Sequence, residues 1–159
     1  MLCSAIAFAL ELYLRYTAPY VINPQAKNLP AQIQHNPEFV VKYTSKGKRL
    51  IPNAHVIIKN HRLSNQDIRM DINSLGFRDK EMSEQKIENE VRILILGDSI
   101  TWGDYLPAEK VYVEQIEKRL SNSFPQKKVE VINAGIGDAG LKEEIDLLIE
   151  QGLKTKPDL

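Results

Sequence analysis

Residues 91–103 read Val91-Arg92-Ile93-Leu94-Ile95-Leu96-Gly97-Asp98-Ser99-Ile100-Thr101-Trp102-Gly103. Six residues, five of them apolar and three β-branched, run straight into Gly-Asp-Ser. A short apolar run stopped by glycine predicts a strand covered on both faces, as a parallel sheet requires. Open sheets of that kind put their chemistry at the carboxyl ends of strands. Ser99 therefore stands where a nucleophile would be presented. A plainer reading of Asp98, Ser99 and Thr101 is that they satisfy backbone donors after a strand, as turn and cap residues do. Trp102 reads as packing beside this turn, and Asp98 as orienting it.

Downstream, the chain alternates. Leu106-Pro107-Ala108-Glu109 predicts a helix start, with Pro107 at its first position and an acid in its first turn. Tyr112, Val113, Ile116 and Leu120 form one apolar stripe at helical spacing, ended by Asn122 and Pro125. Val129 to Ile132 is a second strand, interrupted by Glu130. Leu141, Ile145, Leu148 and Ile149 mark a second amphipathic helix closed by Gly152. Pro157-Asp158-Leu159 opens a third strand. Strand, helix, strand, helix, strand is the pattern of a parallel α/β sheet.

Upstream, Met1 to Leu10 carries no charge, but ten apolar residues fall short of the about 20 that span a bilayer. No basic region precedes them, as a secretory signal would need. Residues 1–18 read either as the trailing half of a membrane helix, anchored by Tyr13, Arg15, Tyr16 and Tyr20, or as an amphipathic or buried N-terminal helix. The first would leave the chain membrane-anchored, facing the periplasm or cell exterior; the second allows a cytoplasmic protein.

Five prolines between Pro19 and Pro52 forbid a long helix there. Phe39 to Tyr43, His55 to Ile58 and Asp67 to Ile72 read as short strands, with Gly47 in a turn and a solvated basic cluster at Lys42, Lys46, Lys48 and Arg49. Residues 19–79 are thus an accessory, mostly β segment. The charged, glycine-free run 80–90 is the best domain boundary.

The 159 residues suffice for one domain with a real core. With 21 basic and 21 acidic side chains, nothing suggests a nucleic-acid partner. A single cysteine, Cys3, excludes an internal disulfide and a cysteine-rich metal site; no cofactor is expected.

Gly97-Asp98-Ser99-Ile100-Thr101-Trp102-Gly103 resembles the first block of the GDSL, or SGNH, serine hydrolases: esterases, lipases, thioesterases and carbohydrate deacetylases on a flavodoxin-like α/β/α fold. Asn133-Ala134-Gly135-Ile136-Gly137-Asp138 resembles the second block, and Lys156-Pro157-Asp158-Leu159 the start of the third strand. Asn73-Ser74-Leu75-Gly76-Phe77-Arg78 is similar to a segment preceding the hydrolase domain in larger bacterial members. The resemblance covers about Asn73 to Leu159. It implies an incomplete flavodoxin-like sheet over 91–159, an ester-bearing small molecule, lipid or acylated glycan as substrate, and Ser99 as nucleophile. The Ser99 amide would be one oxyanion donor. The family's donor glycine falls at Asp138, one residue after Gly137, so the second amide belongs to Gly137 or Asp138.

The blocks that would supply an asparagine donor, Gly-x-Asn-Asp, and the acid and base, Asp-x-x-His, are not found in this sequence. His35, His55 and His61 all precede Ser99, whereas the family's histidine comes last. These 159 residues are therefore expected to have negligible hydrolase activity by themselves. Two other readings stand beside this one. Gly135-Ile136-Gly137-Asp138-Ala139-Gly140 matches the dinucleotide-binding G-x-G-x-x-G pattern, although its confirming acid is out of place and Asp138 would repel phosphate. The chain could also be a non-catalytic or acyltransferase-related module.

Overall fold

The computed structural model describes residues 40–61, 63–83 and 85–159. The expectations for the apolar segment 1–18, Cys3, the four N-terminal anchors, His35 and the first part of the accessory segment lie outside the described residues. Among the described residues, no helix is long and apolar enough to cross a membrane.

Two antiparallel hairpins come first. In one, β1 (Val41–Thr44) pairs with β2 (Gly47–Leu50). In the other, β3 (His55–Ile58) pairs with β4 (Ile68–Asp71). The charged–apolar alternation in β4 works as its period demands: Ile68 and Met70 are buried while Arg69 is exposed. After them β5 (Glu90–Gly97) leads into a one-turn helix, α1 (Ser99–Trp102). Then follow α2 (Tyr112–Ser123), β6 (Lys128–Gly135) and α3 (Leu141–Glu150).

β5 and β6 are parallel, in register from Glu90 opposite Lys128 to Gly97 opposite Gly135. Alternate residues of this sheet serve two cores. Ile93, Ile95, Val129 and Val131 pack with Val113, Ile116 and Leu120 of α2. Leu94, Leu96, Ile132 and Ala134 pack on the other face with Leu147 of α3 and with Leu50, Ile58, Ile68, Met70 and Phe77 of the accessory segment. The hairpins thus share a core with the sheet. The class is α/β, with a two-strand parallel sheet and two small antiparallel hairpins.

Both edges of this pair are occupied by other parts of the chain. Groups of alternate residues in a strand point to opposite edges. On the β6 side the Gly97 carbonyl accepts from the Ile136 amide at 3.0 Å. On the far side the Arg92 carbonyl accepts from the Asp158 amide at 2.8 Å, and the Leu94 amide donates to the Leu159 carbonyl at 2.9 Å. That is the hydrogen-bond pattern of a parallel neighbour beginning at Leu159, so β5 is flanked on both sides. The outer edge of β6 is met by carboxylates: the Val131 amide donates to Glu117 at 2.8 Å and the Asn133 amide to Asp79 at 3.0 Å. An acceptor that cannot itself propagate a ladder closes an edge that would otherwise invite another strand.

Two expectations need correction. The first helix does not begin at Pro107. Pro107 opens a separate 3₁₀ turn over Ala108–Lys110, Val111 is extended and buried, and α2 starts at Tyr112. Burying Val111 against the sheet interrupts the helix that the proline would have started. The second correction concerns α3, whose apolar ridge faces outward. Leu141, Ile145 and Ile149 are 73, 45 and 60% exposed, whereas Leu147, on the opposite side, is 2% exposed. Charge fixes that rotation: Glu150 pairs with Arg49 at 2.7 Å and Lys46 at 2.9 Å, so the β1–β2 hairpin holds the helix by its acidic side.

Far from Ser99, at the amino end of the sheet, Arg92 is completely buried. It pairs with Glu90 at 2.7 Å and Glu130 at 3.2 Å, and donates to the carbonyls of Thr155 and Ser83. Burial pushes the Glu90 carboxyl up, but the Ile87 amide, Glu130 and Arg92 outweigh it and hold the group well below the usual carboxylate range. The 80–90 run is tied down here, since Lys86 also pairs with Asp158.

Candidate active site

Ser99 is the first residue of α1, immediately beyond the carboxyl end of β5. Asp98 is its N-cap: the carboxylate accepts from the Ile100 amide at 2.9 Å, and its carbonyl accepts from the Trp102 amide at 3.0 Å. The Ser99 carbonyl accepts from Gly103, which closes the turn in a left-handed conformation. Asp98 thus does cap work, as the plainer reading of the turn has it. Ser99 is half-buried, with its side chain in no capping bond among the described residues.

The turn is gripped from outside by a residue that sequence reading passed over. Arg78 donates to the carbonyls of Trp102 and Gly103 at 2.7 and 2.5 Å, and to that of Leu106 at 2.7 Å. A guanidinium fork satisfies carbonyls that the end of a short helix would leave unmet. Burial pulls its pKa down to about 10. Arg78 is aimed by Asn73, whose side chain accepts from the Leu75 and Phe77 amides and donates to the Lys80 carbonyl. The Asn73-to-Arg78 segment is a self-closed loop that ends on the serine turn. The sequence marked this segment by its similarity to one that precedes the hydrolase domain, but nothing local in it showed that Arg78 would grip the serine turn.

The second strand delivers its loop alongside. Gly97 and Gly135 are register partners, so the residues after each leave the sheet as neighbours. Asn133 donates to the Thr101 carbonyl at 2.9 Å and accepts from the Gly135 amide at 3.0 Å, stitching α1 to β6. The approach is close: a Cβ on Gly135 would lie 2.2 Å from the Trp102 nitrogen, and one on Gly137 would lie 2.7 Å from the Trp102 ring. Two of the three glycines in the G-x-G-x-x-G match are therefore required by packing against Trp102. Trp102 is buried, as expected of a packing residue. Thr101 bonds the Tyr112 hydroxyl at 3.0 Å.

Gly137 is buried and Asp138 exposed, with the Asp138 backbone at φ 57°. Neither amide donates to another described residue. Lys48, from the β1–β2 hairpin, donates to the Gly137 carbonyl at 3.2 Å and to the Asp138 carboxylate at 2.9 Å. Behind the loop, Asp79 borders a cavity of about 320 Å³ with Arg78, Glu114 and Asn133. Burial pushes its carboxyl up to about 7, against the pull of the Asn133 and Lys80 amides.

The two described histidines come from the accessory segment. His55 pairs with Asp71 at 2.8 Å on the second hairpin. His61 is buried, with its ring 6.4 Å from that of Tyr105, and it lies within electrostatic reach of Asp104. Among the described residues, no three His, Cys, Asp or Glu side chains gather to hold a metal ion.

The class defined by fold and site is an α/β protein with a serine turn beyond the carboxyl end of one strand of a two-strand parallel sheet. Comparison of the chain with protein-family models, characterised proteins and solved structures finds no match.

Proposed function

We propose that this chain carries the nucleophile-bearing part of an SGNH/GDSL-type ester hydrolase, with Ser99 as nucleophile. The observation that carries the reading is the pairing of two loops. Ser99 opens a capped turn directly after β5, and the Gly137 and Asp138 amides, which donate to no other described residue, follow the register-matched end of β6. Such a pair of loops supplies a hydroxyl and, within reach, amides for a developing oxyanion. The finer fold is inferred as flavodoxin-like, supported by the order β6, β5, Leu159, which begins a 2-1-3 sheet with Ser99 beside the switch point.

In the reaction, Ser99 Oγ attacks the acyl carbon, its proton passes to a base, and the alcohol leaves with a proton. Water then releases the acid and restores Ser99. The substrate class is an ester-bearing small molecule, lipid or acylated glycan. An acceptor alcohol in place of water would make the same site an acyltransferase. The Gly-x-Asn-Asp and Asp-x-x-His blocks do not occur in these 159 residues, so their turnover by themselves is expected to be negligible.

The test supplies the base. The chain is treated with a fluorophosphonate in the presence of imidazole: Oγ bonds phosphorus, fluoride leaves, and imidazole takes the proton. The adduct is expected on Ser99, and none on that peptide in Ser99→Ala. Labelling of Ser74 or Ser121 as fast as Ser99 would overturn the proposal.

A further inference from the structure

We propose that Lys48 is the positioning residue that orients the Gly137–Asp138 peptide and so presents the Asp138 amide as the second oxyanion donor. The assignment rests on the acyl-transfer reading above and chooses between the two amides that sequence left open.

The geometry is specific to this lysine. Lys48 comes from β2, about 90 residues upstream in the chain, and its ammonium reaches both the Gly137 carbonyl and the Asp138 carboxylate. The same nitrogen lies 5.9 Å from the centre of the Tyr43 ring, which backs the cation from its own hairpin. The described chain holds no cis peptide bond. In a planar trans peptide the carbonyl and the amide point in opposite directions. With the Gly137 carbonyl turned to Lys48, the Asp138 N–H is turned away from it, off the hairpin side. A cation on the carbonyl oxygen also polarises the peptide and makes that N–H a stronger donor.

Two further features show the peptide held rather than merely touched. Asp138 sits in the left-handed region, which a non-glycine residue seldom adopts and keeps only when its surroundings fix it. Lys48 grips its carboxylate as well as the preceding carbonyl. On the other side the Trp102 ring leaves no room for a Cβ at Gly137. Rotating the peptide plane would break the Lys48 bond to the carbonyl, and Trp102 blocks the loop from shifting to compensate.

The experiment uses NMR on the full chain, together with imidazole-assisted fluorophosphonate labelling, for wild type, Lys48→Met and Lys48→Arg. A left-handed Asp138 gives a strong intraresidue amide-to-Hα NOE. The expected result is that Lys48→Met loses this NOE and labels Ser99 about tenfold more slowly, less than the roughly 10²–10³ that outright loss of an oxyanion donor costs, because the donor is mis-set rather than removed. Lys48→Arg should restore both. An unchanged NOE in Lys48→Met would overturn the positioning role, whatever Ser99 does. A lysine-dependent NOE with an unlabelled wild-type Ser99 would overturn the donor role through the acyl-transfer reading, while the anchoring stands. If Lys48→Met does not fold, wild type decides alone: NOEs from the Lys48 Hε protons to Gly137 Hα support the contact, and their absence overturns it.

Discussion

Single side chains hold this site by reaching across long stretches of sequence. Arg78 satisfies three carbonyls around the serine turn, two from the end of α1 and one from Leu106. Lysine cannot span them, because a point charge on a flexible stem does not reproduce the planar fork. Arg78→Lys is expected to lower unfolding free energy by about 1–3 kcal/mol, the range for leaving buried polar groups unmet, as read by urea denaturation. Asp79 sets a pH dependence whose direction follows from linkage. Burial raises its carboxyl to about 7 in the folded chain, against about 3.9 unfolded. Between those values the folded state holds a proton that the unfolded state releases, so Asp79's contribution to stability is full below about pH 4 and falls as pH rises to 7. Asp79→Asn keeps an oxygen for the Asn133 amide. The difference in Tm between wild type and Asp79→Asn should therefore drift in the variant's favour from pH 4 to 7; a constant difference would refute the assignment.

Elements meet here through close approach and through buried charge. α1 lies so near β6 that Gly135 cannot carry a Cβ without displacing backbone at Trp102. Gly135→Ala is expected to cost about 1–3 kcal/mol by overpacking, and to reduce Ser99 labelling because the turn itself must shift. Arg92 links β5 to Glu130 of β6, its register partner, and to the 80–90 run. Removing one partner of a buried ionic cluster strands the others, so Arg92→Met is expected to cost about 3–5 kcal/mol. Arg92→Met combined with Glu130→Leu should recover part of that loss, as seen in chemical denaturation. Equal losses in the single and double variants would show that Glu130 is not the stranded charge.

At the scale of the whole molecule, one compact unit contains both the hairpins and the sheet, because they share a core face. Its least ordinary feature is the outward apolar ridge of Leu141, Ile145 and Ile149 on α3. Contiguous exposed apolar surface promotes association. The chain is expected to self-associate with rising concentration, measured by sedimentation velocity. Ile145→Lys with Ile149→Glu should abolish that behaviour without lowering Tm, since neither side chain contributes to the core.

The sequence by itself determined the strand at 91–96, though its apolar residues are half-buried rather than buried, its stop at Gly97, the placement of Ser99 just beyond it, and the strand–helix alternation that follows. These are legible because period, glycine and proline act locally, within a few residues. It also displayed one long-range clue, Arg92 and Glu130 interrupting two apolar strands, whose meaning needed the register to become clear. Tertiary structure alone decided that Arg78 grips the serine turn, that Asp79 and Glu117 close the edge of β6, that Lys48 holds the Gly137–Asp138 peptide, and that the ridge of α3 turns outward. Each of these depends on where a flexible charged side chain finds its partner across dozens of residues. Local propensity carries no record of that choice: burial of one apolar face fixes which strands and helices form, while desolvation and pairing of charges fix how they are turned.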